Sequence, residues 1–324
     1  MKKLMSLLLL LCIFAFTFAG CQSSPAVESV DIRIGGLRGP TSMGMVSLME
    51  SAERGEAFNA YSFTIAGSAD ELTPKLIKGE LDIAAVPANL AAVLYNNTDK
   101  SIELLAINTL GVIYIVEKGD AVHSFEDLRG KTIYASGKGS TPEYALRYLL
   151  SENGIDPDKD VTLEWKSEHA EVVEMLAKNA DGIALMPQPF VTIAQTQIAD
   201  LRVALDLTQE WDSLENGSTL ITGVLAVRRE FAEQYPNQIA AFLDEYKQST
   251  EYVNANIAEA AQLIEKFDIF KAAIAEKAIP YCNISYMDGA QMKLVMQGYL
   301  EVLYNQNPKA IGGSLPMDDF YYAR

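Results

Sequence analysis

Side chains suited to catalysis are few in this sequence. The chain holds two histidines, His123 and His169, and three cysteines, Cys12, Cys21 and Cys282. A metal site needs His, Cys or carboxylate ligands at short, set spacings. The histidines stand 46 residues apart and neither sits in a His-Glu-x-x-His pattern. Their polar or turn-like settings mark both as surface residues. No Gly-x-Ser-x-Gly elbow occurs, and no sequence cue places a base beside Cys282. The loop Ser136-Gly137-Lys138-Gly139-Ser140-Thr141 lacks the Gly-x-x-x-x-Gly-Lys-Ser/Thr spacing of a phosphate loop. The residues therefore predict no metal, no cofactor and no enzyme.

Three loops, that one among them, suit binding. Arg38, Pro40, Thr41, Ser42 and Met43 follow one strand-like segment. Pro87, Ala88 and Asn89 follow a second, and Gly137, Ser140 and Thr141 a third. Small residues let a ligand approach the backbone, and hydroxyl or amide groups offer hydrogen bonds. A helix start adds free N–H groups and a positive dipole end. All of these residues are candidate ligand contacts. The competing reading is that Thr41, Ser42, Asn89 and Thr141 are helix caps only.

The elements that must position these loops alternate. Val30–Ile34, Tyr61–Ala66, Leu81–Val86 and Leu104–Asn108 read as strands, from apolar alternation or continuous apolar runs. Met43–Ala52, Ala69–Lys78 and Leu90–Tyr95 read as helices between them, with Gly79 closing the second. The theme repeats with strands at Val112–Glu117, Thr132–Ala135, Val161–Trp165 and Gly182–Met186. Helices at Pro142–Asn153, capped by Thr141, and at Glu168–Lys178 separate them. After a strand at Leu220–Val227 the chain becomes mostly helical. Strands alternating with helices predict an α/β fold in two blocks, with ligands beyond the carboxyl ends of the strands.

Several segments, in order, resemble ABC-transporter substrate-binding proteins of the nitrate/sulfonate/taurine group, which includes thiamine-precursor binders. They are Lys78-Gly79-Glu80-Leu81-Asp82, Asp127-Leu128-Arg129-Gly130-Lys131, Asp181-Gly182-Ile183-Ala184 with Pro187-Gln188-Pro189, and Arg229-Glu230-Phe231 with Tyr235-Pro236. Gln188 stands where that group commonly has Glu. The resemblance spans nearly the whole chain beyond its first residues. It implies a two-lobed periplasmic-binding-protein type II fold with a ligand cleft between the lobes and a helical C-terminal part. Lobe one would be residues 30–109 and 224–324, and lobe two residues 110–223. The crossings between lobes would add Thr109 and Thr222 to the candidate contacts, and the Pro-Gln-Pro loop would add Gln188. Implied partners are a small-molecule ligand, an ABC permease and its ATPase. An organic anion would use helix starts with Arg38 and Lys138, and a flat heterocycle would use aromatic faces such as Tyr61, Tyr114, Tyr134, Tyr144, Trp165 or Trp211.

Composition and the N-terminus agree with an exported binder. The 324 residues carry a net charge of −17, which argues against a nucleic-acid partner. Lys2 and Lys3 precede an apolar stretch ending in Phe18-Ala19-Gly20-Cys21. This resembles a bacterial lipobox, with Phe18 where Leu is usual. It predicts a signal peptide over 1–20, a lipid on Cys21, a tether over 21–29 and a monomer held extracytoplasmically at the membrane. A surface sensor or adhesin for a protein partner is the alternative, and an enzyme on the same fold a further one.

Overall fold

The computed structural model describes residues 28–179 and 181–324. The expected signal peptide, Cys21 and most of the tether lie outside these residues.

Eleven strands form two sheets among the described residues. β1 (Asp31–Leu37), β2 (Ala60–Ala66), β3 (Ile83–Pro87), β4 (Ile102–Leu110), β10 (Ile221–Arg228) and β11 (Ile284–Met287) make the first, in the order β11-β4-β10-β3-β1-β2. β5 (Ile113–Lys118), β6 (Thr132–Ser136), β7 (Thr162–Lys166), β8 (Ile183–Pro187) and β9 (Leu201–Asp206) make the second, in the order β7-β6-β8-β5-β9. Each sheet is mixed. β1 runs parallel to β2 and β3, whereas β10 runs antiparallel to β3 and β4. In the second sheet β6 runs parallel to β7 and β8, and β5 antiparallel to β8 and β9. Each sheet is the centre of one lobe, as a type II binding-protein fold requires.

The strands read most easily from sequence are those buried on both faces. β3 and β8 have four successive buried residues each, and β4 has eight. Such strands favour apolar side chains on both faces, which erases alternation; β3 and β8 are continuous apolar runs, whereas β4 also buries Glu103, Asn108 and Thr109. β9 and β11 lack such runs and went unread in the sequence. β4 and β10 lie side by side, with Ile221 opposite Leu110 and Gly223 opposite Thr109. They lead into and out of the second lobe at these residues. Gly223 is required there, because a Cβ would sit 2.6 Å from both Asn108 Oδ1 and Thr41 Cγ2.

Helix starts behave mostly as the sequence indicates. Ala69–Ile77 begins with Glu71 accepting from the backbone N–H of Ser68 at 3.1 Å. It ends before Gly79, whose φ of 73° suits glycine. The helix expected over Met43–Ala52 is two pieces, Pro40–Met43 and Val46–Glu53. The helix expected from Pro142 begins at Thr141, with Ser140 at the N-cap position. Thr141 is therefore not the cap, and its hydroxyl is free for another use.

Asp82, from the Lys-Gly-Glu-Leu-Asp segment, is 1% exposed and ties β1 to β10 at the start of β3 between them. It accepts from Arg33 N at 3.0 Å, Arg33 Nε at 2.8 Å, Arg33 Nη2 at 2.6 Å and Arg228 Nη2 at 2.9 Å. Burial alone pushes its carboxyl up, but these hydrogen bonds outweigh burial and hold it below the usual carboxylate value. The two lobes are joined by apolar packing as well as by chain. Leu104 and Val224 of the first lobe, Ile133 and Leu146 of the second, and Trp211 and Tyr299 belong to one continuous cluster.

Candidate functional site

A cleft of about 460 Å³ lies between the lobes. Its walls are the loops that follow β1, β2, β3, β6, β7 and β8, with the β4/β10 joint between them. Nine of the residues expected at the ligand line it: Arg38, Pro40, Thr41, Pro87, Thr109, Gly137, Ser140, Gln188 and Thr222. The structure thus brings together loops far apart in sequence.

Five expected contacts do not line the cleft. Ser42 is fully buried and its Oγ donates to the carbonyl of Leu37 at 2.5 Å, closing the turn beneath Thr41. Met43 and Ala88 are packed into the core. Asn89 and Thr141 are also fully buried, and each is satisfied by the other lobe: Thr141 Oγ1 donates to Asn89 Oδ1 at 3.4 Å. The common reason is helical periodicity. Successive residues at a helix start turn away by about 100°, so only some of each loop faces outward.

Several side chains on the walls were not singled out from sequence. His169 opens the helix His169–Lys178, and its Nδ1 is hydrogen-bonded to Ser136 Oγ. Its ring packs on Phe190 with centroids 4.8 Å apart, and Phe190 meets Phe270 of the other lobe edge-on at 5.6 Å. Burial pushes the His169 imidazole down to about 4, so it is neutral at physiological pH. The surface reading of His169 is thus corrected: a polar sequence setting at a helix start does not reveal which way the helix faces. His123 is exposed as expected. The rule that ligands bind beyond strand ends would have found these groups, because Ser136 ends β6, Lys166 to His169 run on from the end of β7, and Phe190 follows β8.

Charge on the walls is mixed and slightly positive. Arg38, Lys138 and Lys166 face Asp70 and Glu168. The Arg38 guanidinium is already engaged, with Nη1 donating to the carbonyls of Asp268 at 2.7 Å and Ile269 at 3.1 Å. Lys138 makes no ion pair among the described residues, and Lys166 has only Glu164 at 3.4 Å. In a chain of net charge −17 a cleft carrying two such cations stands out. A larger, more open concavity of about 740 Å³ lies beyond Gln188, between Thr192, Asp206 and Lys277. It gathers fewer strand ends, so the interlobe cleft is the candidate site. No group of three or more His, Cys, Asp or Glu side chains among the described residues is arranged to hold a metal.

Residues 52–265 match the NMT1-like family. This chain belongs to that family. An ABC transporter structure from Parabacteroides distasonis superposes on this NMT1-like chain with a TM-score of 0.74 and 25% identity, covering 90% of this chain and 99% of that one. The alkanesulfonate-binding protein SsuA from Xanthomonas axonopodis pv. citri, bound to MOPS, gives 0.68 at 16% identity, covering 87% and 94%. The nitrate-binding protein NrtA from Synechocystis PCC 6803 gives 0.59 at 16% identity, covering 74% and 67%. Among curated proteins, the putative binding protein YtlA of Bacillus subtilis (strain 168) is 24% identical over 123 residues, 37% of each chain. That match spans little more than a third of the relative's length. The structural neighbours establish the two-lobed type II fold expected from the sequence.

Proposed function

We propose that this protein is the solute-binding component of an ABC import system. It captures a small molecule in the interlobe cleft and presents it to a permease driven by a cytoplasmic ATPase. The observation that carries this reading is the cleft itself. Loops from both sheets converge on one cavity whose size suits a small molecule. The family and the neighbouring folds support the same reading.

The ligand is a small organic anion, such as a sulfonate. Lys138 and Lys166 supply charge, and Thr41, Ser140 and Thr222 line the same space, with their hydroxyls donating to the carbonyls of Leu37, Gly137 and Leu110. Phe190 beside a neutral His169 favours a second reading, a small heterocycle stacked on that wall. No helix among the described residues is long and apolar enough to cross a membrane. Extracytoplasmic placement, a lipid on Cys21 and a monomeric state complete the proposal, on the lipobox-like segment before Cys21 and the family resemblance.

A thermal-melt screen tests it. Sulfonates, nitrate, bicarbonate, thiamine precursors, nucleobases and amino acids would be offered to refolded, ligand-free protein. A ligand at about 100 times its dissociation constant adds about 2.7 kcal/mol, a shift of several degrees. One chemical class raising the melt is the expected result. No response to the panel or to a broad metabolite extract would refute the receptor reading. Thr41→Ala should weaken binding of the ligand found and cost less stability than Ser42→Ala, because the Thr41 hydroxyl donates to the same Leu37 carbonyl at a longer 3.3 Å. Ser42→Ala should instead cost about 1 kcal/mol of stability, because its hydroxyl satisfies a turn carbonyl.

A further inference from the structure

Three fully buried polar side chains meet where the lobes touch; none lines the cleft, although Gly139, Ser140 and Pro142 beside them do. Asn89 belongs to the first-lobe helix Ala88–Asn97, Thr141 to the second-lobe helix Thr141–Glu152, and Tyr299 to the C-terminal helix Gly289–Gln306. Tyr299 Oη donates to Thr141 Oγ1 at 3.1 Å, and Thr141 Oγ1 donates on to Asn89 Oδ1 at 3.4 Å. Asn89 Nδ2 then donates to the carbonyls of Gly139 at 3.3 Å and Ala310 at 2.9 Å. Every hydroxyl and amide in this relay has a partner, and each hydroxyl proton is used once.

The arrangement has a direction. Thr141 and Gly139 lie in the second lobe, and Asn89, Tyr299 and Ala310 in the first. All bonds between these two groups are therefore bonds between lobes. Polar groups buried at such a seam are satisfied only while the lobes are together, and leaving one unpaired there is costly. When the lobes part, water replaces the lost partners. The rings around the relay reinforce the same contact, with Trp211 of the second lobe 5.9 Å from Tyr299.

We infer that Asn89, Thr141 and Tyr299 form a latch that sets how far the two lobes stay closed, without touching the ligand. They are positioning residues: closure assembles the cleft, and the latch governs the population that has it assembled. The inference rests on the solute-receptor reading for its use, but not for its test.

The test needs no ligand. Small-angle X-ray scattering of the purified, unliganded protein reads the separation of the lobes as the radius of gyration. The wild type should match the radius calculated from this structure. Tyr299→Phe removes only the hydroxyl, and Thr141→Val removes the central hydroxyl at nearly constant shape. Each should shift the closed-to-open ratio toward open by about 5- to 10-fold, the equivalent of about one net hydrogen bond, and enlarge the radius. Thr141→Ser restores the hydroxyl and should restore the wild-type radius, which a general packing defect would not do. A wild type that is already open would overturn the inference. So would variants that melt earlier but keep the wild-type radius, or a Thr141→Ser protein as expanded as Thr141→Val. Should Thr141→Val fail to fold, Tyr299→Phe decides alone. Because the radius is measured without solute, a negative melt screen and a negative latch result are separate findings.

Discussion

Asp82 offers the sharpest test of how this fold is held. Replacing it with Ala removes four hydrogen bonds and leaves the Arg33 and Arg228 guanidinia without their shared carboxylate. Breaking a buried ion pair from one side costs about 3–5 kcal/mol. Here the loss should lie at the lower end, about 3 kcal/mol, because the Arg33 side chain is 42% exposed and can recover water. In a protein this size, whose unfolding entropy is about 0.6 kcal/mol/K, that lowers the melting temperature by about 5 °C. The pH dependence follows from the sign of the shift. Its carboxyl titrates lower in the folded state than in the unfolded chain, so its contribution is full above the unfolded value near about 4 and disappears as pH falls through the folded value. Urea unfolding of wild type and Asp82→Ala at pH 7 and pH 3 measures both effects. The gap between them should be about 3 kcal/mol at pH 7 and should narrow at pH 3. An equal gap at both pH values, or a loss under about 1 kcal/mol at pH 7, would refute the argument.

Other consequences are equally direct. The His169 imidazole should show no titration between pH 5 and 8 by NMR, and since its folded value of about 4 lies below the unfolded one, stability should fall as pH drops from about 6.5 toward 4. Phe320 is fully buried in a C-terminal strap whose Tyr322 N–H donates to Leu104 O at 3.0 Å, so Phe320→Ala should cost about 3–5 kcal/mol in urea unfolding. Burial pushes the Cys282 thiol up, so it should resist a thiol reagent in native buffer and react fully in denaturant.

How much was legible depended on what kind of signal each residue carried. β3, β8 and residues 104–107 of β4 stand out as apolar runs, because a strand buried on both faces favours apolar residues on each. The alternation of strands and helices gave the α/β class, and the order of short motifs pointed to the two-lobed family. Strand ends followed by small and hydroxyl residues also located most of the cleft: Thr41, Pro87, Gly137, Ser140, Gln188 and Thr222 line it. These are local properties, written in neighbouring residues.

Direction was not local. Asn89 and Thr141 are good cap-type residues in the right loops, yet both point into the lobe seam and bond to each other. Arg38 reaches the cleft, but its charge rests on the carbonyls of Asp268 and Ile269, some 230 residues away in sequence. His169, in a polar segment, becomes a neutral wall residue because Ser136, 33 residues earlier, and Phe190 close around it. Which segments fold and where loops cluster can be read along the chain, since hydrophobic period and turn chemistry act within a few residues. Which face of each helix start meets ligand, core or the other lobe is settled by packing. That choice is made by the rotation of each helix against partners hundreds of residues distant, and no spacing along the chain encodes it.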